Sequence, residues 1–313
     1  MNTLIAKINK NPIETIKKLS IAKLVEVIKY TADKYYNFDE SVVTDAIYDL
    51  LVDTLRDLDP TNAALRQVGA LIQSKDKVKL PYYMGSMDKI TPERHNFEKW
   101  TNEFSGPYVL SDKLDGISGL LVMHNHKLKL YTRGDGMYGS DISGILPYIN
   151  VFKRSVRVDM PNNCAIRGEL IMSRKRFEKY KATKKNPRNT VAGLINAKTL
   201  DTDMLKTVDF VTYEVIHPVM KMSDQLLQLA LWGLFVVHHD MYKTVTIDNL
   251  KIYLERRKKN SEYEIDGIIV ADDHAHKRIN TGNPKYAVAF KFNNLDLAAT
   301  VTVTDVVWRV SKD

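Results

Sequence analysis

The stretch Tyr108-Val-Leu-Ser111-Asp112-Lys113-Leu114-Asp115-Gly116-Ile-Ser-Gly119-Leu-Leu-Val122 decides how this chain reads. It sets one lysine between two apolar, β-type runs, with an acid two residues on and a glycine just behind. Side chains at i and i+2 of a strand share a face. Lys113 and Asp115 are therefore expected to point one way while Leu114 turns to the core. A lysine held near a carboxylate in a partly dry pocket can be aimed and, beside cations or a metal, deprotonated. It can then act as a covalent nucleophile. Gly116 lets the chain turn and lets a ligand approach the backbone. Taken alone, Lys-x-Asp-Gly also fits a plain turn between strands.

Composition narrows the classes. With 313 residues the chain has room for two domains with sizeable cores. A hydrophobic share of 44% and a charged share of 27% fit a soluble globular protein. No run approaches the roughly 18 apolar residues of a membrane span, and the N-terminus lacks the apolar core of a signal peptide. No membrane partner is expected. The sole cysteine, Cys164, permits neither an internal disulfide nor a cysteine zinc site, which fits a cytoplasmic setting. The net charge of +8 favours an anionic partner such as nucleic acid.

Residues 1–75 read as helical. Ser20 is placed to cap a helix carrying Ile21, Leu24, Val27 and Ile28, and Thr44 to cap another that runs to Leu58 before Pro60. On the second helix Ile47, Leu50, Leu51, Leu55 and Leu58 form an apolar stripe. Asp45, Tyr48 and Asp49 fall on the other side at spacings i, i+3 and i+4. A solvated face is the plain reading of these three; a receptor for a cationic or ribose-bearing ligand is the functional one. The polar, lysine-rich run Ser74–Pro81 reads as a linker. Beyond it, β-type runs dominate. Leu120–Val122 and Leu128–Tyr131 flank His124-Asn-His126 as a hairpin. Arg174–Lys185 reads as a basic amphipathic helix and Ser223–Val237 as an apolar one.

Further motifs follow the lysine in order: Thr132-Arg-Gly-Asp-Gly136, Ile166-Arg-Gly-Glu169, Asn186-Pro-Arg-Asn189 with Ala192-Gly193, Ile265-Asp-Gly-Ile-Ile269 and Tyr286-Ala-Val-Ala-Phe-Lys-Phe292. The series resembles the nucleotidyltransferase motifs of DNA ligases and capping enzymes, and is most similar to the NAD-dependent DNA ligases. The resemblance runs from about Tyr35 to the C-terminus. It implies an α+β fold. A small helical N-terminal domain (1–75) would bind nicotinamide mononucleotide. A nucleotidyltransferase domain (76–293, ATP-grasp-like) of antiparallel sheets with flanking helices would follow. Residues 294–313, with the alternating Ala299–Val310, would begin an oligonucleotide-binding barrel. The missing remainder implies either a truncated chain or a ligase divided between two polypeptides. The second would carry the barrel, zinc and helix-hairpin-helix modules.

The same resemblance implies the chemistry. Lys113 would attack the AMP phosphorus of NAD, release nicotinamide mononucleotide and keep the adenylate, which is later spent on sealing nicked double-stranded DNA. An ordinary lysine, with a pKa of about 10.4, is protonated near neutral pH, so neighbouring cations or a divalent metal must favour the free amine. Lys291 would be the second cation on the phosphate. Asp115, Glu169 and Asp266 would contact ribose or orient Lys113, and would hold Mg2+ through water. Arg133 would reach a ribose hydroxyl, Ser86 and Met87 the adenylate, and Arg188 the DNA or cofactor phosphates. Tyr35, Tyr36, Asp45, Tyr48 and Asp49 match the nicotinamide-binding pattern, with Tyr36 standing where the family has histidine.

Three positions depart from that pattern. Ser111 replaces a glutamate that reads the adenine amino group, Ala271 replaces a phosphate-directed lysine, and Asn196 replaces an arginine. Lys198, Lys277 or Arg278 are the candidates to compensate for the last of these by position. Two other readings stay open. One is an ATP- or GTP-dependent nucleotidyltransferase such as a capping enzyme, against which the Tyr35–Asp49 pattern argues. The other is a non-catalytic, nick-binding ligase subunit, against which retention of Lys113, Asp115, Glu169, Asp266 and Lys291 argues.

Overall fold

The computed structural model describes residues 1–38, 42–66, 77–90, 96–153 and 160–291, with the side chains of 35–38, 45, 46 and 49 outside that set. The expected barrel segment 294–313 and the 75/76 boundary lie outside the described residues.

Among the described residues, five helices open the chain: α1 (Asn2–Lys10), α2 (Pro12–Lys17), α3 (Ile21–Phe38), α4 (Asp45–Leu58) and α5 (Ala63–Arg66). The caps expected from sequence form. Lys23 N donates to Ser20 Oγ at the start of α3, and Ile47 N to Thr44 Oγ1 at the start of α4. Both bonds satisfy amides that a helix start leaves open. Ile8, Leu24, Val27, Leu51 and Leu55 are fully buried and knit these helices into a core of their own. Leu58 ends the α4 stripe exposed.

The rest of the described residues build two five-stranded sheets and one short ribbon. In chain order come β1 (Lys77–Lys79), β2 (Asp88–Ile90), α6 (Phe97–Glu103), β3 (Tyr108–Leu114), β4 (Ile117–His124), β5 (Lys127–Thr132), β6 (Tyr138–Ser140), β7 (Ala165–Met172), α7 (Arg174–Phe177), α8 (Pro187–Asn196), α9 (Thr202–Leu205), β8 (Val208–His217), α10 (Met222–Leu231), β9 (Phe235–Val236), β10 (His239–Tyr242), α11 (Ile247–Asn260), β11 (Ile265–Asp272) and β12 (Ala287–Phe290). The first sheet runs β10-β3-β11-β12-β2 and the second β5-β4-β7-β8-β9. The expected α+β class holds, with most pairs antiparallel. Two parallel pairs, β12 with β2 and β8 with β9, make both sheets mixed.

Two helices differ from the sequence reading. The basic helix over 174–185 shrinks to the four residues of α7, because its only buried anchor is Phe177 and no apolar stripe continues past it. The apolar helix over 223–237 ends at Leu231, and Phe235–Val236 then turn into strand β9. The β4–β5 hairpin forms as expected, with Asn125 and His126 at φ 47° and 59°. A two-residue turn with both φ positive suits the strand twist.

β7 is buried along its whole length, so it sits between a helix layer and the cleft. Gly119 of β4 opposes Gly168 of β7. A Cβ on Gly168 would meet the Phe210 ring at 2.7 Å, and one on Gly119 would meet it at 3.0 Å. The two glycines thus clear a slot for a fully buried phenylalanine. On the first sheet, Asp112 turns away from Lys113 and accepts two bonds of 2.8 Å from Arg257 of α11 and one of 2.9 Å from Ser261. This ties α11 to the back of the sheet that carries the lysine.

Candidate active site

Lys113 sits near the end of β3, opposite Gly267 of β11. The β3–β11 register shifts between Ile265 and Gly267, so Asp266 is an extra residue in a bulge. A bulge re-aims a side chain, and here the Asp266 carboxylate meets two lysines. Lys113 Nζ lies 2.8 Å from Oδ1 and donates to Oδ2 at 3.0 Å. Lys291 Nζ, just past the end of β12, lies 3.0 Å from Oδ2. Burial pushes the Asp266 carboxyl up, but Lys113 and Lys291 outweigh it and hold the group below the usual carboxylate range.

The second sheet contributes Glu169 of β7, which is 6% exposed. Its Oε2 accepts from Ser118 Oγ at 3.0 Å and from Tyr213 OH at 3.2 Å. Burial raises its carboxyl above the usual range, against the opposing pull of Arg188, Ser118 and Lys113. Tyr213 is itself pushed up to about 12 by burial. Gly116 is the hinge between the sheets. A Cβ there would meet the Leu170 carbonyl at 2.5 Å and Glu169 Cγ at 2.8 Å, so only glycine lets β3 turn into β4 this close to β7.

Asp115 does not share the Asp266 pair. It receives Arg188 Nη1 at 2.6 Å. The sequence explains this placement: Asn186 Oδ1 accepts from Asn189 N at 2.7 Å and Pro187 opens α8, which fixes Arg188 in the first turn. The Thr132–Gly136 motif forms a tight turn. Gly134 and Gly136 take φ of 53° and 96°, and Asp135 Oδ1 accepts from Met137 N and Tyr138 N. Arg133 N donates to the Ser118 carbonyl at 2.9 Å, so the turn is anchored next to the partner of Glu169.

Ser86 and Met87 lie on the segment before β2. The Gly85 carbonyl there accepts from Arg167 Nη2 at 2.7 Å. Ser111 opposes Ile269, and Ala271 opposes both Val109 and Ala287. The positions where the family pattern has glutamate and lysine thus face the cleft as small side chains. Arg278 bonds to Glu214 and, at 2.8 Å, to the Tyr83 carbonyl. Tyr48 is half-buried on α4. The side chains of Tyr35, Tyr36, Asp45 and Asp49 are outside the described residues.

Sequence reading missed Tyr213, Ser118 and Glu214. A signal existed for two of them: Tyr213-Glu214 interrupts the otherwise apolar end of β8. Ser118 carried none.

Comparison with known proteins places these groups in a family. The model of the NAD-dependent DNA ligase adenylation domain matches residues 77–295. A DNA ligase of Acanthamoeba polyphaga mimivirus is 46% identical over 300 residues, covering 95% of this chain and 46% of that protein. A DNA ligase of Clostridium kluyveri is 30% identical across 94% of this chain and 49% of its own length. One from Treponema pallidum is 28% identical across 93% and 37%. The chain spans about half the length, or less, of these relatives. On the strength of the match over 77–295, the chain belongs to the NAD-dependent DNA ligase adenylation-domain family.

Proposed function

We propose that this chain is the self-adenylating part of an NAD-dependent DNA ligase. The observation that supports it best is the meeting of Lys113, Asp266 and Lys291 from three neighbouring strands. Lys113 is the nucleophile. Its amine forms an N–P bond to the AMP phosphorus of NAD, and the bond from that phosphorus to the bridging oxygen breaks. Nicotinamide mononucleotide leaves with the electron pair. The nearest acceptor for the lysine proton is the Asp266 carboxylate, from which solvent takes it. Lys291 turns from Asp266 to the phosphate and stabilises the charge that develops there. Glu169 and Arg133 hold the ribose, Tyr213 lies against the nucleotide, and Ser86 and Met87 cover it.

The helices at the N-terminus would hold the leaving group. Tyr35, Tyr36, Asp45, Tyr48 and Asp49 come from α3 and α4, whose apolar sides share one core. We place the boundary between this module and the adenylation domain at 75/76. Among the described residues, no three histidine, cysteine or carboxylate side chains are grouped to hold a metal. Mg2+ keeps most of its waters and binds through one or two carboxylates plus substrate phosphates. Glu169 suits that mode, whereas Asp115 and Asp266 are engaged by Arg188 and the two lysines. A bound magnesium would neutralise phosphate charge.

The adenylate would then pass to nicked double-stranded DNA. Arg188 would exchange Asp115 for a phosphate at that stage. The relatives are about twice as long, which leaves room for barrel, zinc and helix-hairpin-helix modules, in the same polypeptide or in a second ligase subunit. Among the described residues no helix is long and apolar enough to cross a membrane, and a cytoplasmic setting suits an enzyme that consumes NAD.

The test is direct. Protein incubated with NAD and magnesium should gain the mass of one adenylate and release nicotinamide mononucleotide. Lys113→Ala should abolish the adduct, and ATP should not replace NAD. An adduct of unchanged yield on Lys113→Ala would sink the assignment.

A further inference from the structure

Next to the adenylation groups lies a cavity lined in part by Gly85, Met87, Arg167, Glu214, Arg278 and Tyr286. Its charged wall is built by register. Glu214 of β8 opposes Arg167 of β7, two residues along the strand from Glu169. Residues i and i+2 share a face, so Arg167 and Glu169 look into the same cleft about 7 Å apart. Tyr213 stands between them, with the Arg167 guanidinium 5.8 Å from its ring centre.

The cluster is a carboxylate between two guanidinium groups. Arg278 Nη1 donates to Glu214 Oε1 and Arg278 Nη2 to the Tyr83 carbonyl. Arg167 Nη1 approaches Glu214 Oε2 only to 3.7 Å, beyond hydrogen-bond reach. Among the described residues, Glu214 Oε2 therefore keeps an unused acceptor on a side chain that is 11% exposed. Arg167 Nε is buried without a partner as well. Two buried charges, Arg167 and Glu214, with bonds left unmade are costly, and apolar residues would hold these strands at less expense. An incoming polar group would complete the set.

The first sheet has no equivalent reader at the two positions where the family pattern carries one, Ser111 and Ala271. Ala271 opposes Ala287 there, and Ser111 opposes Ile269.

We infer that Glu214, held by Arg278 and Arg167, reads the edge of the adenine base, a conclusion that rests on the adenylation reading above. A phosphate placed at Lys113 and Lys291, with ribose at Glu169, sends the base along the cleft past Tyr213 toward Glu214. A carboxylate only accepts hydrogen bonds. It takes the exocyclic amino group of adenine and repels the carbonyl that guanine and hypoxanthine carry at that position. Arg278 completes the edge as a donor to a ring nitrogen. Acceptor and donor thus sit on β8 and on the segment before β12, rather than on β3 and β11.

Single-turnover adduct formation with NAD and with nicotinamide hypoxanthine dinucleotide tests this. The unaltered protein should prefer NAD by at least 100-fold in kcat/KM. Glu214→Gln, which can both donate and accept, should cut that preference to less than tenfold, mainly through KM. A purely structural clamp would slow both substrates equally and leave the ratio unchanged, which overturns the inference. Equal use of both dinucleotides by the unaltered protein overturns it too, whether or not the variant folds. If neither substrate gives an adduct, the adenylation reading fails. Calorimetry with AMP and IMP then decides the base reading by itself: at least tenfold tighter binding of AMP supports it, and equal binding refutes it.

Discussion

Asp266 and Tyr213 occupy matching irregularities in the two sheets. Asp266 is the extra residue where the β11–β3 register shifts between Ile265 and Gly267, and Tyr213 is the extra residue where β8 slips past β7 at Arg167 and Gly168. A regular strand would send every second side chain into the core. Each bulge instead frees one polar side chain for the cleft. One reaches the two lysines and the other reaches Glu169.

The Asp266 bulge yields the first prediction. Asp266→Asn keeps shape and bulge but removes the charge between Lys113 and Lys291. The two ammonium groups then lose their shared counter-ion, and Lys113 loses both its aim and its nearest proton acceptor. Single-turnover adenylation by NAD should slow by roughly 10²–10⁴, the usual contribution of a positioned acid or base. Asp266→Glu should not rescue it, because the longer side chain overshoots a pair set at 2.8 and 3.0 Å. A rate for Asp266→Asn within threefold of the parent would show the carboxylate to be a bystander.

A stability measurement separates Glu169 from its neighbours. Its carboxyl is raised by burial, so the folded state binds the proton more tightly than the unfolded chain. The sign follows from linkage. The group supports folding fully below its unfolded pKa of about 4.3, and that support is lost as pH rises through the folded value. At neutral pH the buried charge is therefore a burden. Glu169→Gln should raise Tm at pH 7, with a gain that shrinks as pH falls from the raised folded value toward about 4.3 and is gone below it. The same variant should lose adenylation. A lower Tm at pH 7 would contradict the burial argument.

Much of this site was legible in the sequence because its residues sit in short motifs whose order carries information. Lys113, Glu169, Asp266 and Lys291 were all placed by motif, and the structure brings them together. The two partners of Asp266 could be named but not paired, since pairing depends on a register shift that leaves no mark in composition. Tyr213 left a polar interruption in β8, but its turn into the cleft depends on a register shift in the same way. Arg174–Lys185 misled because only Phe177 and Tyr180 reach the core, too little apolar surface to hold a longer helix. Arg174 is spent on Glu264 and Arg176 on Asp209, which pin the short α7 to the domain rather than extend it. The hairpin at Asn125-His126 and the caps at Ser20 and Thr44 were legible because local chemistry alone decides them.

The Asp112–Arg257 pair behind β3, the strand that carries Lys113, should matter for stability and not for the proposed chemistry. Asp112 is 2% and Arg257 10% exposed at the side chain, and the contact is bidentate. Removing one partner strands a buried charge, so Asp112→Ala should cost about 3–5 kcal/mol. Pairing Asp112→Leu with Arg257→Met removes both charges and should recover most of that loss. Urea unfolding of the single and double variants checks it. Equal destabilisation by both would mean that packing, not the stranded charge, sets the cost.

The helical module carries the last prediction. NAD differs from a free adenylate by its nicotinamide mononucleotide half, and Tyr35, Asp45, Tyr48 and Asp49 are the groups proposed to hold that half. Two tyrosine faces can stack on the nicotinamide ring, and two carboxylates can meet its positive charge and ribose hydroxyls. Losing one such contact removes binding energy that the reaction uses to orient the phosphorus toward Lys113. Tyr35→Ala and Asp49→Ala should each slow adduct formation with NAD by at least about 100-fold. Neither should change the affinity for AMP, which touches only the cleft around Lys113. Adduct formation and AMP calorimetry on the same preparations provide the comparison. Parental rates with NAD in both variants would reduce these residues to a solvated helix face, and an equal loss of AMP binding would point to a damaged fold instead of a lost nicotinamide contact.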